Sequence, residues 1–347
     1  MKKLLFIFIL SISPCYAAKT PSNIMVGEIV EYEIQKGDTL NKIAGRFGLG
    51  IDELMWANPK LRDPTLVSLG RKIILPTAYI APNTEPEGIV INLPELRLYY
   101  FYKQDEMDWM FSFPITIGVE GRATPIGRTA IFDKRENPSW IPPASVRLED
   151  PRLPEIVPPG PKNPLGNHIL DLDASKNKKW QTIKIHGTNV PWKIGMKISH
   201  GCIRLYPNDI KSLFETVELQ TPVAFVNQPI KVAEIEDKIY IEVHPELPPK
   251  KTPEDLAAEQ AAKQAALEAI EQIQPLDIEE SDESLMCEEP KKELQDYPPK
   301  AIFDAHKLIC GYVKNCNSKL NWKIINEAVI AKKGIPILVS KVVELKQ

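Results

Sequence analysis

The chain has 347 residues, 43% of them apolar, enough for one sizeable core and a smaller second domain. A formal charge of −3 argues against a nucleic-acid binder. The 32 prolines, against an average of about 5%, point to strand-edge turns and extended linkers more than to long helices. At the N-terminus, Lys2-Lys3, the apolar run Leu4 to Ile12 and Cys15-Tyr16-Ala17 form the three regions of a secretory signal. The run is too short to span a bilayer, and cleavage after Ala17 is expected, with Ala18 as the alternative. Pro14 stands where a lipoprotein signal wants a small residue before its cysteine, which argues against lipidation of Cys15. No later stretch has the length and apolarity of a transmembrane segment.

From Val30 the sequence alternates as a half-buried strand does, through Ile34, and Lys36-Gly37-Asp38-Thr39 turns the chain. Asp38 or Thr39 is placed to cap a helix whose apolar residues Leu40, Ile43, Ala44 and Phe47 recur at helical spacing. Asp52 is placed to cap a second helix, Glu53 to Ala57, which Asn58-Pro59 stops, and Leu69 to Pro76 closes with a strand. This α+β order over residues 30–77 resembles a LysM module. The resemblance implies binding of N-acetylglucosamine-containing glycan strands, with loops at Gly37, Asp38 and Thr39 and around Trp56 to Pro59, including Asn58, flanking a shallow groove. Taken singly, Gly37, Asp38 and Asn58 also read as ordinary turn and cap residues.

Residues 77–87 read as a short Pro-stiffened linker, and a mainly β domain is expected over 88–228. Ile89, Ile91 and Leu93 alternate with polar or opposite-facing residues, Pro94-Glu95 turns, and Leu96, Leu98, Tyr100 and Tyr102 alternate again, as in a hairpin. Further strand-like runs lie at Phe111 to Ile117, Thr129 to Asp133, His168 to Leu172, Thr182 to Ile185 and Val223 to Val226, which predicts a β-sandwich or barrel-like sheet pair. The Pro-rich stretch from Asn137 to Asn163 is long and irregular, so a flap over part of a cleft is expected there.

Ser199-His200-Gly201-Cys202 is followed by Ile203-Arg204, and His186 lies sixteen residues before the cysteine in Ile185-His186-Gly187-Thr188. A thiol attacks well only as thiolate, so a partner must take its proton or stabilise the anion, and His186 is the candidate. Gly201 allows a sharp bend that aims amides at a developing oxyanion. Cysteine acyl transfer is the chemistry these parts serve, against the alternative of a buried packing cysteine.

His-Gly-Thr, an eleven-residue stretch from Thr188 to Ile198, and Ser-His-Gly-Cys-Ile-Arg resemble the L,D-transpeptidases with a YkuD-type catalytic domain, in their proteobacterial periplasmic branch. Gly88 to Tyr100, Thr124-Pro125-Ile126-Gly127, Asn137 to Trp140 and Asn163 to Gly166 carry the same likeness, which fades after Pro229. It implies a periplasmic enzyme that uses no cofactor or metal and acts on peptidoglycan glycan strands and stem peptides. Cys202 would attack the carbonyl between diaminopimelate and the terminal D-alanine, and an amine would capture the thioester. That amine belongs to a lysine of an outer-membrane protein, a lipoprotein or barrel protein, or to the diaminopimelate of another stem. Water capture, as in an L,D-carboxypeptidase or amidase, and a non-catalytic glycan-binding envelope protein are the competing readings. Within the site, Gly187 or Thr188 would orient the imidazole through a carbonyl. Amides near His200, Gly201 and Cys202 would hold the oxyanion, and Ser199 would brace the loop. Arg204 would pair a substrate carboxylate where many relatives carry Asn, and Trp192 with Met196 would wall the cleft.

Residues 245–300 read as a linker: proline-rich and basic to Pro253, helix-favouring from Glu254 to Ile273, and acidic from Asp277 to Glu289. Residues 301–347 recover apolar content, as at Phe303, Ile309, Trp322 and Ile325, and a small helical region is expected. With Cys202 kept reduced, Cys287, Cys310 and Cys316 remain; Cys310 with Cys316 is the foremost pair, though spacing alone leaves the geometry open.

Overall fold

A computed structural model describes residues 23–61, 68–104, 106–248, 299–313 and 315–340. The signal-like N-terminus, the expected helix and acidic stretch within 254–289, and Cys287 lie outside the described residues.

Strand β1 (Met25–Val26) precedes β2 (Val30–Glu33), α1 (Leu40–Arg46), α2 (Ile51–Ala57) and β3 (Lys72–Leu75). Thr39 caps α1, its hydroxyl accepting from Lys42 N at 3.2 Å. Asp52 does not cap α2. Gly50 takes that position, Asp52 falls in the first turn, and the Glu53 carboxylate accepts from Gly50 N at 3.0 Å. Packing explains the earlier start. Ile51 N donates to Ile194 O at 3.1 Å, and a Cβ on Gly195 would stand 2.3 Å from Gly50 Cα, so the two backbones meet where only glycine fits.

The stretch 77–87 is packed rather than free. Strand β4 (Tyr79–Ile80) pairs with β1, and Ala78 through Ala81 are buried. The elements of the expected β domain follow as β5 (Gly88–Asn92), β6 (Arg97–Gln104), β7 (Met107–Pro114), β8 (Ile117–Gly118), β9 (Gly127–Glu136), α3 (Ala144–Glu149), β10 (His168–Leu172), β11 (Lys184–His186), β12 (Lys197–Ser199), β13 (Ile203–Arg204), α4 (Pro207–Thr216) and β14 (Pro222–Val226). Eight strands form one curled sheet in the order β13-β11-β10-β9-β14-β5-β6-β7, and β12 pairs with β8 beside it. The β13/β11 and β14/β5 ladders are parallel. Helix α4 backs β10, burying Ile210 and Leu213 and laying Phe214 against His168 at 4.9 Å.

The LysM-like unit shares a core with this sheet. Ile43, Leu54 and Leu75 cluster with Val90, Tyr99 and Phe101 of β5 and β6. Arg97, fully buried on β6, donates from Nη2 to both oxygens of Glu53 at 2.9 and 2.7 Å.

The C-terminal region is helical, with helices Pro299–Cys310, Cys316–Lys319 and Trp322–Ala331. A sheet completes it: the hairpin β15 (Ile230–Ile235) and β16 (Lys238–Val243), from before residue 245, pairs with β17 (Ile337–Leu338). Val232 and Ile241 share a core with Ile309, Ile325 and Val329. A disulfide joins Cys310 to Cys316 with Cα atoms 5.3 Å apart. Lys231 ties the hairpin to the eight-stranded sheet, its buried Nζ 2.6 Å from Glu95 Oε1 and 2.9 Å from Glu242 Oε1.

Removing one member of a buried ion pair leaves the other charge desolvated and unpaired. Arg97→Met therefore lowers stability by about 3–5 kcal/mol, read as a fall in the thermal unfolding midpoint, while the exposed-pair change Lys103→Met leaves that midpoint nearly unmoved.

Candidate active site

The site is built on the parallel ladder between β11 and β13, with Ile185 opposite Ile203 and His186 opposite Arg204. Ile185 and Ile203 are fully buried in the core, so alternation turns His186 and Arg204 to the other face. One residue earlier, the same register sets Cys202 beside Lys184. Ring and thiol then lie on the same face of adjacent strands, offset by two residues. The sulfur is half-buried and free, and it lies 3.4 Å from Thr182 O.

The loop before β13 is fastened from both sides. Ser199, fully buried, donates from Oγ to Cys202 O at 2.6 Å and accepts from Gly201 N at 3.1 Å. Gly201 has φ +105°, and a Cβ there would also meet Ile183 at 2.9 Å, so glycine is required. Thr124 donates to Gly201 O at 2.9 Å and accepts from Gly118 N at 3.0 Å. The Gly201 amide is thus engaged by Ser199, which removes it from the amides expected to face an oxyanion.

His186 is buried, and its Nδ1 lies 2.7 Å from Gly187 O. A carbonyl only accepts, so in the neutral ring Nδ1 carries the hydrogen and Nε2 is left as the base. Burial first, and then the Arg204 charge, depress the ring's pKa to about 3, against the opposing pull of the Gly187 and Leu165 carbonyls. Burial pushes the Cys202 thiol up, partly offset by the Lys184 amide and by the Lys184 and Arg204 charges. The resting pair is therefore thiol and neutral imidazole, not thiolate and imidazolium. Arg204 is itself drawn down by burial, its Nε is buried without a hydrogen-bond partner, and among the described residues no carboxylate pairs with it.

The other expected residues fall as follows. Thr188 is buried and accepts from Val190 N at 3.0 Å; His200 is exposed on the loop; Trp192 is exposed beside it. Met196 packs against the LysM-side core rather than standing in an open cleft. Asp38 is spent on Tyr32 (2.6 Å), Gln35 N (3.0 Å) and Arg46 (2.9 Å). Asn58 bonds Leu54 O and Ile74 O and accepts from Ile74 N, tying α2 to β3. Gly37 is a left-handed turn residue with φ +85°. Trp56 packs on the catalytic core, 6.2 Å from His244. The Pro-rich stretch is an excursion between β9 and β10, pinned by fully buried Asn163, which donates to Pro138 O at 2.7 Å. Its base meets the site, since a Cβ on Gly166 would stand 2.8 Å from Thr188 N. Among the described residues, Glu95, Glu242 and His244 group as metal ligands do, and the Lys231 ammonium stands between the two carboxylates.

A family model for the L,D-transpeptidase catalytic domain YkuD matches residues 86–225, and one for the LysM domain matches 32–76. "Probable L,D-transpeptidase YbiS" of Escherichia coli is 38% identical over 238 residues, covering 66% of this chain and 74% of that protein. The chain belongs to the YkuD-type L,D-transpeptidases. "Probable L,D-transpeptidase YcfS" of the same organism is 39% identical over 228 residues, covering 63% of this chain and 69% of its own length. The solved catalytic domain of the E. faecium L,D-transpeptidase is 24% identical, covering 41% of this chain and 98% of that one at a TM-score of 0.29. This L,D-transpeptidase is an enzyme whose two matched domains imply peptidoglycan binding. Among its described residues no helix is long and apolar enough to cross a membrane.

Lys184 and Asp171 went unremarked in the sequence, and Thr124 was noted only within a resembling stretch. A charged residue inside the otherwise apolar run Ile169 to Leu172 was the available signal for Asp171.

Because the folded-state pKa of His186 lies below 6.5, the neutral ring contributes stability above that pH, and this is lost as pH falls toward 3. In NMR titration of the free enzyme the His186 ring shows no protonation step between pH 5 and 8. Alkylation of Cys202 by iodoacetamide keeps accelerating above pH 9; a plateau near pH 7 would contradict a neutral resting pair.

Proposed function

We propose that this enzyme is periplasmic and transfers the peptidyl group of a peptidoglycan tetrapeptide stem through a thioester on Cys202. The observation that carries the reading is the uncompensated Arg204 on the same sheet face as His186 and next but one to Cys202. A half-buried cation with an unpaired buried Nε and no carboxylate beside it gains when an anionic ligand arrives. The stem supplies one in the terminal carboxylate of its D-alanine, the group beside the bond to be broken.

Pairing that carboxylate with Arg204 relieves the charge that disfavours an imidazolium at His186, so the ring becomes more basic when substrate is in place. His186 Nε2 takes the thiol proton as Sγ attacks the diaminopimelate carbonyl, and with the Gly201 amide engaged by Ser199 the Cys202 amide is a donor for the oxyanion. The carbon–nitrogen bond then breaks, and His186 returns its proton to the departing D-alanine amine. An incoming amine, from a lysine of an outer-membrane protein or the diaminopimelate of another stem, attacks the thioester and gives its proton to the ring. A thioester keeps enough acyl energy for this capture without a nucleotide. The LysM unit supports holding the enzyme on the glycan strand, and the Pro-rich excursion anchored beside Thr188 is suited to cover the bound stem.

Incubation with disaccharide tetrapeptides gives intact protein heavier by the acyl group, and Cys202→Ala gives neither the adduct nor free D-alanine while still binding glycan. His186→Gln slows D-alanine release by about 10²- to 10⁴-fold. Release unchanged in Cys202→Ala would defeat the thiol mechanism, and the mass of the final product separates cross-linked dimers, lysine-linked peptides and water-shortened stems.

A further inference from the structure

Strand β9 carries a bulge: Asp171 pairs with Asp133 but Leu172 pairs with Ile131, so Phe132 is skipped and thrown outward, 61% exposed. Bulges beside active sites re-aim side chains. Here the bulge reverses the alternation, because Ile131 before it faces the core while Asp133 and Arg135 after it share the face of Asp171 and Lys184. One row across four strands then reads Asp133, Asp171, Lys184 and, by the β11/β13 register, Cys202. The next row runs from Arg135 to His186 and Arg204 through Ile169.

A cavity of about 530 Å³ opens over these rows, lined by Phe132, Asp133, Arg135, Asp171, Gln181 and Lys184 among others. Its lining residue Lys184 stands on β11 in the row that continues to Cys202, one strand further on. Asp171 is committed: Lys184 donates to one oxygen, and Arg135 donates from Nε to the other at 2.9 Å. That leaves Arg135 Nη1, which has no recorded partner among the described residues, and the remaining Lys184 hydrogens as anion donors. Asp133, half exposed with Oδ2 3.6 Å from Arg135 Nε, is the acceptor for a cation. Paired cationic and anionic points a few ångströms apart, with an aromatic face alongside, match an α-amino-acid zwitterion.

Resting on the proposed stem-peptide reaction, we propose that this cavity is a subsite for the free amino-acid head of diaminopimelate. Its carboxylate is bound by Arg135 and Lys184, and its ammonium by Asp133. The head belongs to the side chain of the acyl donor, because an acceptor's own amine must be free to reach the thioester and cannot be held at Asp133, three strands from Cys202.

The experiment compares tetrapeptide stems carrying diaminopimelate, diaminopimelate amidated at the distal carboxyl, or lysine, in the wild type, Arg135→Ala and Arg135→Lys. One arm follows acylation of Cys202 by intact mass with no acceptor present. The other follows capture of the preformed thioester by each stem as acceptor. The wild type favours diaminopimelate over both analogues by about tenfold or more, the worth of one charge-assisted contact. Arg135→Ala brings the ratio to about twofold, through KM more than kcat, and Arg135→Lys restores part of it. Discrimination in acylation supports the subsite, and discrimination confined to capture overturns it. Equal use of all three stems by the wild type, or a ratio unmoved in Arg135→Ala, overturns the subsite. Absence of any acyl adduct in the wild type would instead overturn the thioester reading beneath it.

Discussion

The chemistry of this enzyme depends on a parallel ladder only a few residues long. A single-residue slip of β13 against β11, which β10 holds in place, would turn Arg204 toward the core and Ile203 outside. Burial of the two isoleucines therefore fixes the register, and the register in turn brings the imidazole, guanidinium and thiol together. The loop that returns the chain to make a parallel pair is held by hydrogen bonds at Ser199 and Thr124 and by the backbone freedom of Gly201. Apolar packing sets the row, and three small residues set the height of the sulfur above it.

Electrostatics explains why such a site can rest without reacting. Both titrating partners are pushed toward neutrality by burial, so the thiol keeps its proton and the ring its lone pair. The charge that remains is on Arg204, which burial disfavours and which lacks a compensating carboxylate among the described residues. A protein that leaves such a charge unpaired loses stability there, and sites of this kind are where ligands supply the missing partner. On the proposed reading, a substrate with a carboxylate beside its scissile bond would change the balance by arriving, coupling recognition to activation through one side chain.

The catalytic motif, the first hairpin and the strand runs at 168–172 and 223–226 were legible because their information is local: period-two apolarity, a Pro-Glu turn and a compact thiol motif. What escaped was set at long range. Asp52 has the chemistry of a cap, yet α2 starts at Ile51 because the amide of that residue finds Ile194 O in another domain. Residues 79–80 look like linker until β1 and the Glu242 carboxylate give their backbone partners. The 230–243 hairpin alternates clearly, but its core partners lie beyond residue 299. The bulge at Phe132 leaves no mark in composition, so the alignment of Asp133 with Lys184 appears only in the sheet register.

The LysM unit is fused to the sheet rather than strung from it. A flexible tether would leave glycan and nucleophile with an effective concentration that falls with linker length. Here α2 offers Glu53 to Arg97 and its first amide to Ile194, and its core continues into Val90, Tyr99 and Phe101. The hairpin of the C-terminal region is joined to the same sheet by Lys231 and Glu95. Buried ion pairs contribute little net stability against apolar replacements, but they penalise misdocking heavily, because each wrong arrangement strands a charge. Their placement at two domain junctions, rather than within any one core, fits a role in fixing how the domains meet. Where a glycan strand held by the module lies relative to the sheet is then set by the same contacts that seat the module.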